Sequence, residues 1–326
     1  MELICFLNLL QSAGRNNRLC ITARIPKARM KPADLLLALL VILIWGINFV
    51  VIKLGLQTLP PILFSALRFA CAAVPLVFFV RRPAVPFRLL AGYALFQFAL
   101  QFTLLFTGMQ LGFPPGLASL VVQLQAFFTI GLAVLLLGES PLPLQLAGAL
   151  LAGAGMVLVA TQMQADVPLA GFLLVAAAAF CWGMGNIVTK RIGRVDPVGL
   201  VAWASLLAAL PLLIASLLLE GPAVVAASLG GMGWTAVGAI LFQAWPTTII
   251  GFGIWAMLMR KYPAASVAPF SLLVPVVGML SAALLVGEPL PWWKPAAAAL
   301  VLCGLALNQA APWMARRTTG KQKSAP

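Results

Sequence analysis

Arg68 is a permanent cation inside an apolar run, and a charge held in hydrocarbon costs at least about 2.5–3.5 kcal/mol at the centre of a spanning helix, so it asks for a purpose. It lies about seven residues into the run 61–80, about 10 Å along a helix rising about 1.5 Å per residue. Two chemistries suit it. A guanidinium fork can receive the carboxylate of a substrate, bidentately where geometry allows, or it can tie backbone carbonyls at a helix end. Lys53 and Lys190 close their own apolar runs, where a long stem lets the ammonium reach the interface; contact with substrate is the other use.

The remaining polar groups are neutral. Asn48 and Asn186 suit either hydrogen bonding to a zwitterion or interhelical bonding. Gln97 and Gln101 are four apart and share a helical face, whereas Gln123 and Gln125 are two apart and are not expected to face one cavity squarely. With Gln243, Thr247, Thr248 and Ser271 these residues predict a neutral, hydrogen-bonding lining that suits amino-acid-like cargo.

The missing chemistry is equally pointed. Histidine is absent, which removes the commonest general base and proton shuttle. The five cysteines, Cys5, Cys20, Cys71, Cys181 and Cys303, are isolated and show neither metal-ligand nor disulfide spacing, so no metal or cofactor is expected. No His-Glu-x-x-His or Ser-x-x-Lys set supports a membrane-embedded hydrolase, acyltransferase or other enzyme. Glu139, Glu220 and Glu288 fall at the ends of apolar runs or in loops and Asp34 precedes the first one, which disfavours a pump for lipophilic cations built on a buried carboxylate.

What must position these side chains is a set of membrane helices. Apolar residues make up 63% of the chain and charged residues 9%, against roughly 45–50% and about 25% in soluble domains. Apolar runs punctuated by Pro, Gly and charge fall near 35–55, 61–80, 88–108, 115–137, 143–161, 169–190, 197–219, 234–257, 263–286 and 295–312. At roughly 20 residues per crossing they predict an all-α integral membrane protein of ten transmembrane helices, with no space for a soluble catalytic domain. Several runs begin at proline, where the missing N–H costs a helix nothing.

The net charge of +14 is a topology signal rather than a nucleic-acid footprint, because the basic residues sit in short connections. Placing the N-terminus in the cytoplasm puts eighteen of the twenty-one Lys and Arg inside and only Lys294 outside, with Lys53 and Arg68 within spans. That orientation predicts a multi-pass inner-membrane protein with both termini cytoplasmic. Residues 1–29 lack a cleavable signal pattern and read as an upstream extension or a disordered tail, with Met30 the more natural start. Residues 313–326 read as a basic cytoplasmic tail. Trp234, Trp292, Trp293 and Trp313 suit an interfacial belt, leaving Trp45, Trp182, Trp245 and Trp255 as the deeper tryptophans.

The chain also repeats. The segment Trp45-Gly46-Ile47-Asn48 through Lys53 returns as Trp182-Gly183-Met184-Gly185-Asn186 through Lys190, and Gly138-Glu139-Ser140-Pro141-Leu142-Pro143 is echoed by Gly287-Glu288-Pro289-Leu290-Pro291. A five-helix unit is therefore used twice, over 30–161 and 162–312. Five being odd, the copies run in opposite senses: two inverted five-helix repeats, a recurrent construction of secondary transporters that bind cargo near the midplane. The copies differ in places, since Arg68 matches Ser205 and Ala126 matches Pro275.

These motifs, with Leu67-Arg68-Phe69, resemble the EamA family of the drug/metabolite transporter superfamily. The longer runs Trp45–Leu56, Gly116–Ile130 and Val267–Gly278 are similar to its bacterial O-acetylserine/cysteine exporter branch. The resemblance covers about Met30 to Ala311. It implies an exporter of small amino-acid-like metabolites working by alternating access, with a small polar metabolite and the lipid bilayer as its partners. Efflux of another anionic or zwitterionic metabolite is the neighbouring reading.

Overall fold

The computed structural model describes residues 30–138, 142–162, 168–193, 195–261 and 268–322; residues 1–29, Glu139 and Gln164 lie outside these. Every regular element among the described residues is helical. Ten apolar helices among the described residues, six long and four shorter, carry the architecture. In the first half these are α1 (Pro32–Gly55), α2 (Pro61–Leu76), α3 (Phe87–Gln110), α4 (Pro115–Leu137) and α5 (Pro143–Gln162). The second half has α6 (Leu169–Ile192), α7 (Pro197–Leu219), α8 (Trp234–Phe242, continued by Gln243–Gly251 and Phe252–Lys261), α9 (Val274–Val286) and α10 (Trp293–Gln322). Six of them, α1, α3, α4, α6, α7 and α8, are long and apolar enough to cross a membrane; the apolar parts of α2, α5, α9 and α10 are shorter. A short helix, Pro222–Gly230, follows α7. Two boundaries differ most from the sequence reading. The segment before α9 is a tight 3₁₀ helix, Ala268–Leu273, and α10 stays helical to Gln322, through most of the basic tail.

The packing is reciprocal. α2 lies on α7 and α5 on α10, while α1 leaves its own half to pack on α8 and α9, as α6 packs on α3 and α4. The Trp-Gly segments explain these crossings. A Cβ at Gly46 would overlap Val277 of α9, and one at Gly183 would sit 3.0 Å from the Cβ of Phe128 on α4, so each first helix meets the other half at a glycine. The Gly of each Gly-Glu pair has its own reason. Gly138 and Gly287 end α4 and α9 in the left-handed region (φ +66° and +64°), where a side chain is disfavoured.

Interior contacts sort the helix ends into two sides. Asp34 of α1 pairs with Lys261 of α8 at 2.7 Å, Arg191 of α6 donates to Leu136 O of α4 at 3.0 Å, and Trp203 of α7 donates to Val80 O at 3.2 Å. These define a basic end. At the opposite end the second half caps the first. α2 and α4 start after Pro60 and Pro114, which offer no side-chain cap. Glu220 instead accepts from Ile62 N (2.7 Å), Leu63 N (2.9 Å) and Ser216 Oγ (2.6 Å). Glu288 accepts from Gly116 N (3.0 Å) and from Lys294 Nζ (2.7 Å), and that ammonium also reaches Pro289 O. Carboxylates at helix N-termini satisfy free N–H groups and meet the positive end of the helix dipole. Buried Leu59, Leu63, Phe64, Phe106 and Phe113 fill this clasped end.

Candidate functional site

Local irregularities of the helices build the site. The third helix of each half carries a widened π-helical stretch, Ala94–Leu100 in α3 and Gln243–Gly251 in α8, the latter around Pro246. The chain before or within the fourth carries a 3₁₀ stretch, Ala268–Leu273 ahead of α9 and Val122–Leu124 in α4. Such departures from α-helical register turn side chains and carbonyls away from their regular directions. They border one cavity of about 560 Å³ between the halves, which reaches the surface near exposed Thr189 and half-buried Pro197 at the basic end.

On the α1–α8 wall, Thr247 presents both its groups: its carbonyl accepts from Trp45 Nε1 (3.2 Å) and its hydroxyl donates to Asn48 Oδ1 (2.9 Å). Trp45 in turn packs on Phe252 and Trp255, each at 5.3 Å between ring centroids. On the α3–α6 wall, Gln97 Nε2 donates to Gln101 Oε1 (3.0 Å). Gly185 is the reason they fit, since a Cβ there would overlap the Gln97 carboxamide. On the α4–α6 wall, Asn186 Nδ2 donates to Gln125 Oε1 (2.9 Å) and Thr129 Oγ1 (3.0 Å).

Arg68 forms the floor. It is fully buried, with Nε and Nη2 donating to Thr248 Oγ1 at 3.2 and 3.0 Å. Its guanidinium carbon lies 3.8 Å from the centroid of Phe102 and 5.1 Å from that of Phe69. A desolvated cation over aromatic faces gains about 2 kcal/mol or more, which offsets part of its burial. Of the two sequence-level readings, the tie to backbone carbonyls is absent: a hydroxyl and two rings hold Arg68, and Nη1 has no hydrogen-bond partner.

The structure therefore gathers Asn48, Arg68, Gln97, Gln101, Gln123, Gln125, Asn186, Thr247 and Ser271 around one cavity. The expectation that Gln123 and Gln125 diverge is corrected. With three residues per turn across Val122–Leu124, positions two apart are separated by about 120° instead of about 160°, and both reach the wall. Gln243 and Thr248 are the opposite case: both are fully buried but away from the lining. Lys53 and Lys190 also stand outside it, at the ends of their helices. Of the deeper tryptophans, Trp45, Trp182 and Trp255 line the cavity; Trp245 is 40% exposed on the outer surface of the helices and does not. Sequence reasoning missed Thr129, Thr189, Tyr93 and Phe102. Thr129 was within reach, being four residues after Gln125 and so on its face.

The two-half helical scaffold, with its exchanged first helices and a cavity between the halves, has counterparts among known proteins. The EamA-like transporter family model matches residues 33–161 and again 169–309. The chain belongs to this family. Two curated relatives, each called a probable amino-acid metabolite efflux pump, are similar over 285 residues: one from Salmonella typhimurium at 46% identity and one from Escherichia coli K12 at 45%, each match covering 86% of this chain and 95% of the relative. An uncharacterized Bacillus subtilis transporter is 29% identical over 82% of the chain and 87% of its own length. A solved crystal structure superposes with a TM-score of 0.61 over 89% of this chain and 99% of its own, at 23% identity, a likeness of fold alone.

Proposed function

We propose that this EamA-family protein exports small amino-acid-like metabolites, cysteine and O-acetylserine foremost, by alternating access across a bacterial inner membrane. The observation that carries the reading is the set of polar groups on a largely apolar cavity wall: amides, hydroxyls and one guanidinium, with no carboxylate among the described lining residues. Such a wall offers hydrogen bonds to a carboxylate and a neutral polar side chain, and no counter-ion to a net cation. The names carried by the two enterobacterial relatives point the same way. All ten apolar helices cross the membrane in this reading, and the excess of Lys and Arg at one end puts that end, the open mouth of the cavity and both termini in the cytoplasm.

Cells overproducing the protein should release more cysteine or O-acetylserine and tolerate more of either. Unchanged release of both, with the protein present in the membrane, would leave efflux of another anionic or zwitterionic metabolite in its place. Reporter fusions at Gly320 and Gln164 should report opposite sides of the membrane; agreement between them would overturn the crossing count.

A further inference from the structure

Beyond the floor of the cavity lies a group of polar atoms that the transport reading leaves without a task. Ser65 Oγ, Arg68 Nη1 and both amide atoms of Gln243 are buried with no protein partner, and all three residues are 0% exposed. They belong together. Ser65 is three residues before Arg68 on α2, on the same helical face. The hydroxyl of Thr248, which receives two N–H groups of Arg68, donates to Gln243 O at 2.7 Å, closing one wide turn of α8. α2 and α8 both run from the clasped end toward the basic end, so Ser65 and Gln243 each lie about one turn closer to the clasped end than the Arg68–Thr248 pair. An independent contact fixes this level: a Cβ at Gly55 would sit against Phe64 and 3.2 Å from Ala239, placing the residue next to Ser65 and the residue one turn before Gln243 side by side.

We infer that Ser65, Gln243 and the free edge of Arg68 form a second substrate station, which takes the carboxylate of an α-amino-acid cargo after it leaves the cavity and rests on the export reading above. A guanidinium N–H, a hydroxyl and a carboxamide NH₂ supply donors for two carboxylate oxygens, and the Gln243 carbonyl is left as an acceptor for the neighbouring ammonium. Arg68 and Phe102 together stand between the two places: both line the cavity, and the ring lies 3.8 Å from the guanidinium carbon. Displacement of that ring joins them. The location of the station, on the clasped side of the floor, is where cargo must pass once the clasps open. Unpaired buried groups of this kind work against the fold that holds them, so a purely structural role predicts that removing them is harmless or stabilising.

The experiment uses the full chain in proteoliposomes, with O-acetyl-L-serine and its methyl ester as probes. Gln243→Leu should melt at or above the temperature of the wild type yet transport O-acetyl-L-serine about ten-fold more slowly or worse, the equivalent of one lost hydrogen bond to a charged group. The methyl ester, lacking the charge, should be a poor cargo for the wild type. In a chain whose native cysteines are replaced, Ser65→Cys should react with a membrane-impermeant thiol reagent applied at the clasped face only while O-acetyl-L-serine is being transported. Wild-type rates in folded Gln243→Leu overturn the station and leave the export reading intact, and so does an unreactive Ser65→Cys that still transports. A wild type that moves no amino acid overturns the export reading itself, and the station with it.

Discussion

The two halves share a scaffold but not a chemistry. Gly46 and Gly183 do the same work, letting α1 and α6 cross into the opposite half against Val277 and Phe128. Gly138 and Gly287 end the fourth helices with nearly the same backbone angle. The polar side chains mounted on these matched elements diverge. Asn48 accepts from the hydroxyl of Thr247 on α8, whereas Asn186 donates to Gln125 and Thr129 on α4. Arg68 is clamped between Thr248 and Phe102, while its repeat partner Ser205 is a buried hydroxyl with no partner. Backbone geometry is constrained twice by the same close approaches. Chemistry at the interface is needed once, because both halves border a single cavity.

The largest effects should come from breaking what the halves share. Gly46→Leu and Gly183→Leu each force a side chain into a packed crossing, where overpacking costs typically about 1–3 kcal/mol and more when backbone must move. Both should sharply reduce folded protein in the membrane, measured as detergent-extractable monodisperse material. If only one does, the crossings are not equivalent and the comparison fails at the level of the scaffold.

A smaller effect should follow from the chemistry that is not shared. Arg68→Ala should lower export by about ten- to a hundred-fold, the range expected for charge-assisted hydrogen bonds of about 1.5–3 kcal/mol. Arg68→Lys should fall nearly as far, because an ammonium lacks the planar fork. Ser205→Ala should leave export within about two-fold, since a hydroxyl without a partner adds no bond to lose. Normal abundance with normal export in Arg68→Ala would remove the guanidinium from the transport path and make the halves chemically alike.

The smallest difference separates the two asparagines. Asn186→Ala removes two side-chain hydrogen bonds and Asn48→Ala one, each worth about 0.5–1.5 kcal/mol net. Thermal melting of the purified variants should therefore show the larger drop for Asn186→Ala. Equal drops would mean that the α4–α6 and α1–α8 walls are held alike despite their different partners.

Much of this could be read from the chain. An overwhelmingly apolar composition requires lipid, and the recurrence of Trp-Gly and Gly-Glu exposes the doubled unit, because close crossings and left-handed helix ends tolerate few residues other than glycine. Nine of the eleven polar residues expected at the cavity line it because polar side chains inside apolar runs have few other places to go. Other features became visible only in three dimensions. Gln123 and Gln125 share a wall through a 3₁₀ turn that no periodicity announces, and Gln243 is removed from it at the start of a π-helical stretch. Glu220 and Glu288 read as loop residues, yet they cap α2 and α4 over sequence distances of more than 150 residues. Phe102, one of many phenylalanines in the sequence, becomes the cover of Arg68. The sequence by itself determined the class of protein, the repeat and the polar inventory, because those depend on composition and on local backbone limits. The tertiary structure alone decided which of those groups meet, since a hydrogen bond or a ring contact depends on helix rotation and depth, set by the packing of segments far apart in the chain.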